Sequence, residues 1–157
     1  MTFFECFADK SLLRQLGLSS KELKGGHSFG RSKVCSRLKN ASDSLGLVDE
    51  DPGAARDPYL KHLFTLSPIY EDNNLFCSMD SKRNNKLIVL KPDLETLILR
   101  IASEMRIDLN KKYRLPTDRK SLHSVLTNIQ KREKFNELLM ATAEHKTVEK
   151  LKQLIKD

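Results

Sequence analysis

Three consecutive acids, Asp49-Glu50-Asp51, follow the apolar run Leu45-Gly46-Leu47-Val48 and stop at Pro52-Gly53. Asp-x-Asp at the end of a strand crowds two carboxylates, and their repulsion is unfavourable unless something offsets it. A hard divalent cation such as Mg²⁺ takes oxygen ligands and would do so. Backbone amides would also serve, because an acidic turn before Pro-Gly commonly caps its own N–H groups. Spacing alone leaves both readings open. A second acid stands in an expensive place. Glu5 lies within the aromatic run Phe3-Phe4-Glu5-Cys6-Phe7, and a carboxylate is costly to bury unpaired. It either reaches solvent at a strand end or is held by a cation.

The elements around these acids read as strands alternating with helices. Thr2 to Phe7 suits a short strand, and Asp9 can cap a helix carrying Leu12, Leu13 and Leu16 that Gly17 ends. Gly25 to Gly30 reads as an extended piece closed by a glycine turn. A helix follows, with Val34, Leu38 and Ala41 on one side. Leu45–Val48 and Lys86–Leu90 lack alternation, as strands buried on both faces of a parallel sheet do. Between them, Leu63 to Ile69 and Leu75 to Met79 suggest two strands around the turn Glu71-Asp72-Asn73-Asn74. Asp93 can cap an amphipathic helix with Leu94, Leu97, Ile98, Ile101, Ala102 and Met105 on one face. The rest reads as helical, with apolar sets at Leu122, Val125, Leu126 and Ile129, then Phe135, Leu138, Leu139 and Ala143, then Val148, Leu151, Leu154 and Ile155.

The expected fold is therefore α/β, a mostly parallel central sheet with helices on both faces. The domain reading is an α/β core over 1–109 and a basic helical C-terminal extension over 110–157 packed on it. In such folds the working site lies at the carboxyl ends of the strands. That rule singles out Glu5, the 49–51 acids and the residues after Leu90.

At 157 residues the chain fits one ordinary domain with a real core. Its 39% hydrophobic and 31% charged content suits a globular protein with a heavily solvated surface. No apolar run reaches the length of a membrane span, and Met1-Thr2-Phe3-Phe4-Glu5, which carries no basic stretch before an apolar core, is not expected to be a signal peptide. Cys6, Cys35 and Cys77 show no metal spacing and read as buried thiols of a cytoplasmic protein. His62, His123 and His145 show no pairing with Cys or Glu at zinc spacing.

In order along the chain, Phe4-Glu5-Cys6-Phe7-Ala8-Asp9, a helix, and Asp49-Glu50-Asp51-Pro52-Gly53 resemble the Toprim pattern of topoisomerases, primases and the overcoming-lysogenization-defect nucleases. That pattern is a strand ending in glutamate, usually Glu-Gly-x-x-Asp, then a later strand ending in Asp-x-Asp. The match covers roughly residues 2 to 105, and small stand-alone Toprim-like proteins also resemble Leu90-Lys91-Pro92-Asp93-Leu94-Glu95. Cys6 stands where the family usually has glycine. The resemblance implies a Rossmannoid fold and a Mg²⁺- or Mn²⁺-dependent nuclease or other phosphoryl-transfer enzyme, with Glu5, Asp49 and Asp51 as metal ligands and catalytic residues. Asp9, Glu50, Glu95, Lys91 and His27 would be auxiliary. Some of these relatives sit beside an ATPase in phage defence, so an ATPase partner belongs to the same expectation. The alternative is a non-catalytic relative that binds nucleic acid or such a partner.

A formal charge of +7 favours anionic partners, nucleic acid among them. From residue 110 onward 12 Lys or Arg stand against 6 Asp or Glu, so nearly all the surplus lies in the last third. Lys111, Lys112 and Arg114 in that tail are candidate phosphate contacts. So are Arg31 and Lys33, at the start of the helix after the glycine turn. A solvated helical face is the plainer reading of the tail. With 6% aromatic residues and no Trp, base stacking is not indicated, and recognition by shape or through phosphates is expected. On the nucleic-acid reading, reversing the charge of Lys111, Lys112 and Arg114 weakens binding to every sequence alike. It also lowers the slope of log K against log salt by roughly one unit for each phosphate that is no longer neutralised. A salt titration by gel shift checks this, and an unchanged slope removes the tail from the interface.

Overall fold

The computed structural model describes residues 1–53, 57–126 and 129–156, with the side chains of 129 and 130 left aside. Its centre is a five-stranded sheet. Strand β1 (Thr2–Phe4) pairs in parallel with β2 (Leu45–Asp49), and β2 in parallel with the strand Asn85–Leu90. Beyond lie Leu75–Asp80 and Tyr70–Glu71, each antiparallel to its inner neighbour. In chain order these are β3 (Tyr70–Glu71), β4 (Leu75–Asp80) and β5 (Asn85–Leu90), and the sheet order is β1-β2-β5-β4-β3. Four strands point one way and β4 runs against them, so the sheet is mixed as well as mostly parallel.

Helices cover both faces. One face is packed by α3 (Arg31–Lys39) and α4 (Pro58–Thr65), which join Val34, Cys35, Leu38, Tyr59, Leu60 and Leu63 to Phe3, Val48, Leu87 and Val89. The other receives α1 (Phe7–Gln15) and α5 (Leu94–Glu104). With them pack α6 (Leu109–Tyr113), α7 (Arg119–Leu126), α8 (Ile129–Ala141) and α9 (Lys146–Lys156). Neighbouring residues Phe3/Phe4, Leu47/Val48 and Leu87/Ile88 divide between the two clusters, as the two-residue period of a strand requires. The helices after residue 110 thus share one hydrophobic cluster with Phe4, Leu47 and Ile88. The side chain of Ile129, one of the expected apolar positions, lies outside the described residues.

Several elements depart from the sequence reading. Leu63 to Ile69 does not form a strand: Leu63 to Thr65 close α4. The Asp57 carboxylate accepts from Tyr59 N at 2.8 Å and Pro58 sits in the first turn, so a good N-terminal signal starts that helix early. Strand β1 ends at Phe4, and α1 begins at Phe7. Asp9 is therefore inside the first turn, where its Oδ2 accepts from Glu5 N (3.1 Å) and Cys6 N (2.9 Å). It closes the helix start from the third position, as the acid of a capping box does. A short helix, α2 (Ser20–Leu23), had no counterpart in the reading. Ser19 and Glu22 make a reciprocal capping box there.

The outer side of β1 is closed by the chain itself. Phe4 N donates to Gly26 O (3.1 Å) and Ser28 N donates to Phe4 O (2.9 Å), so His27 lies beside Phe4 as a parallel bridge. This crossing needs glycine. A Cβ on Gly26 would meet the Thr2 carbonyl oxygen at 1.9 Å and a Phe4 ring carbon at 2.8 Å. Gly26→Ala is expected to cost about 3 kcal/mol, because backbone rather than a flexible side chain must move. Gly25→Ala meets open space at φ +72° and should cost only about 1 kcal/mol. Urea midpoints of the two variants check the contrast, and equal losses would show that the close approach carries no weight.

Candidate functional site

The carboxyl ends of β1, β2 and β5 lie side by side, and the first turns of α1 and α5 open there. Each helix start leaves backbone N–H groups without intrahelical partners, and acids fill them. Asp9 serves α1 as described. Asp49 Oδ1 accepts from Leu94 N at 3.0 Å, and Asp93 Oδ1 accepts from Thr96 N at 2.8 Å. Glu5 reaches across from β1, its Oε1 accepting from Asp49 N at 2.8 Å. Beyond the strand end, Glu50 N donates to Leu90 O and Asp51 N to Pro92 O, which continues the β2–β5 pairing into the loop. Asp51 is half-buried at φ +46°.

Glu5, Asp49 and Asp51 are thus brought to one end of adjacent strands, with Asp9, Asp93 and Glu95 beside them. The charges are unevenly compensated. Arg119 Nε donates to Asp93 Oδ2 at 3.0 Å, and His123 Nδ1 lies 2.7 Å from Glu95 Oε1. None of the ion pairs among the described residues involves Glu5, Asp9 or Asp49. Burial therefore raises their proton affinity. The Glu5 carboxyl is pushed up to about 7, mainly by loss of solvent and then by Asp9 and Asp51, against the Asp49 N–H and Arg31. Asp49 and Asp9 are raised as well. Loss of solvent dominates in both; Asp9, Glu5 and Glu95 add to it at Asp49, and Glu95 adds to it at Asp9.

The other expected residues are placed as follows. Glu50 is half-buried, and its carbonyl accepts from Arg31 Nη1. Arg31 is 7% exposed and braces the acidic loop from inside, while Lys33 is exposed. Lys91 turns away from the acids: its Nζ lies 2.6 Å from Glu71 Oε1 and donates to Asp72 O. His27 lies between Phe7 and Phe29. Lys111, Lys112 and Arg114 are exposed around α6. Sequence reasoning missed Arg119 and His123 as neighbours of the site and took Asp93 only as a helix cap after Leu90. Asp93-x-Glu95 after β5 repeats the acidic strand-end pattern and was a usable signal. The Glu95–His123 pair spans 28 residues and left none. His145 also pairs in space, with Glu104 at 3.0 Å.

The donor set is all carboxylate oxygen, which suits a hard divalent cation. One oxygen each of Glu5 and Asp49 is committed to a backbone N–H. Among the described residues, no three Asp, Glu, His or Cys side chains are grouped as ligands of one ion. No helix among the described residues is long and apolar enough to cross a membrane. No protein-family model, curated protein or solved structure matches the chain.

A pH dependence follows. Glu5, Asp9 and Asp49 hold a proton more tightly folded than unfolded, so the folded state binds more protons between the ordinary carboxylate range, near 4, and about 7 for Glu5. Their contribution is full below that window and is lost as pH rises through it. The melting temperature in EDTA should therefore fall from about pH 5 to about pH 8. Asp49→Asn keeps an acceptor for Leu94 N and removes charge, so its curve should be flatter and lie above wild type at the alkaline end. Asp49→Ala also loses the acceptor and should be about 1 kcal/mol less stable than Asp49→Asn. A wild-type profile that is flat or rises with pH would show that the acids are already neutralised.

Proposed function

We propose that this chain is a Mg²⁺- or Mn²⁺-dependent phosphoryl-transfer protein of Toprim type, a nuclease acting on DNA or RNA. One observation carries the reading: Glu5, Asp9 and Asp49 share the carboxyl end of a largely parallel sheet with no ion-paired cation among the described residues, and burial raises the proton affinity of all three. Groups so perturbed concentrate where chemistry is done. Glu5, Asp49 and Asp51 would hold the ion. Bound there, it would polarise a phosphodiester and lower the pKa of a water molecule.

The chain's own residues do the positioning. Leu94 N fixes Asp49, Asp49 N fixes Glu5, and Asp9 ties down the backbone of Glu5 and Cys6. Lys33 and the exposed bases around α6 would attract the phosphates. The second reading is a non-catalytic Toprim-like protein that binds nucleic acid or an ATPase. It is favoured by the structural work that Glu5 and Asp49 already do on backbone N–H groups, and by the half-buried Cys6 at the glycine position.

Incubation with single- and double-stranded DNA and RNA separates them. Cleavage is expected with Mg²⁺ or Mn²⁺, none in EDTA, and a fall of about a hundredfold in Glu5→Gln, which keeps an acceptor for Asp49 N and so should stay folded. Wild-type binding without cleavage on any substrate would leave the non-catalytic reading.

A further inference from the structure

Beside the carboxylates lies a pocket of about 340 Å³, with Phe7, His27, Phe29, Glu95, His123 and Arg132 in its lining. That volume falls within the range of small-ligand sites. Its rings form a prepared wall. His27 stands 3.9 Å from Phe29 and 4.7 Å from Phe7 between ring centres, and it stacks nearly parallel to buried Phe4 at 5.9 Å. Phe29 is the telling residue. It is 73% exposed and has φ +53°. A bulky side chain at positive φ is strained, and an exposed ring gains little from leaving water. Contact with the His27 ring leaves most of the Phe29 ring in solvent, and backbone preference does not favour phenylalanine at this position. Phe7 is also exposed.

Cations border the rings. Lys33 Nζ lies 5.8 Å from the centre of Phe29, and the Arg132 guanidinium carbon lies 4.3 Å over Phe7. A flat ring with an attached anion would meet the rings and the charges together.

We propose that this pocket receives one unstacked base of a single-stranded nucleic acid, with the neighbouring phosphates against Lys33 and Arg132. The proposal rests on the nucleic-acid reading above and narrows the substrate to strands whose base faces are open, since a duplex hides them. It also revises the expectation, drawn from low aromatic content, that bases are not stacked. The aromatics are few, but Phe7, His27 and Phe29 are gathered at the site.

Fluorescence anisotropy in EDTA tests it, with labelled oligothymidylate, oligouridylate and a duplex of equal length. Single strands should bind more tightly than duplex, the two single-stranded arms deciding between DNA and RNA. Phe29→Ala should weaken single-strand binding about tenfold, with duplex binding and the salt slope unchanged, because every phosphate keeps its cation. Phe29→Trp should keep single-strand affinity, and its emission, the sole indole signal in a chain without Trp, should change on binding. Equal affinity for single strands and duplex would overturn the proposal. So would an unchanged single-strand affinity in Phe29→Ala, or no binding of any oligonucleotide. The assay is independent of the metal reading. Weakened affinity in Phe29→Ala beside a wild type that never cleaves upholds the base pocket and removes the nuclease. Metal-dependent cleavage with unchanged Phe29→Ala affinity removes the base pocket and leaves the nuclease.

Discussion

Two helix starts open at the same end of the sheet, and their unpaired N–H groups must be satisfied. Asp9 does this for α1, and Asp49 and Asp93 for α5. Buried donors without partners are rare in folded proteins, so these acids belong to the architecture whatever else they do. The two helix ends supply roughly half a positive charge each. Arg119 and His123 meet Asp93 and Glu95. The negative charge at Glu5, Asp9 and Asp49 exceeds what remains, and that excess adds to the loss of solvent that chiefly raises their proton affinity. Structural capping and raised proton affinity are therefore two consequences of one arrangement.

The parts legible in the sequence were those fixed by local pattern. Leu45–Val48 and Lys86–Leu90 read as buried strands because both faces of the sheet are covered. The α5 helix read correctly because Asp93 and a regular apolar face agree. Leu63 misleads because the helix start at Asp57-Pro58 runs into an apolar stretch that also suits a strand. Asp9 misled because an acid in the third position of a helix can cap as well as one at its boundary. The convergence of Glu5 with Asp49 followed from strand-end placement. The contacts of Glu95 with His123, and of His27 with Phe7 and Phe29, depend on how loops and distant helices meet, and no local spacing encodes them.

The acids and the aromatic wall share one short support. Phe4 bonds to Gly26 and Ser28 on its outer side, and the next residue, Glu5, reaches inward to Asp49 N. A site built on strands and helix ends is held more closely than one built on free loops. A shift of β1 would move the His27 ring and the Glu5 carboxylate together, which couples whatever binds against the rings to the geometry of the acids.

The crossing of residues 26–28 over β1 also bears on how copies of this protein meet. An open strand at the border of a sheet is a template for another chain, and it invites aggregation unless blunted. Here one border is occupied by the protein's own backbone, and the other ends in β3, a strand of two residues. Both borders are thereby poor starting points for continuous sheets between molecules. Gly26, by permitting the crossing, helps keep the chain from templating its own copies.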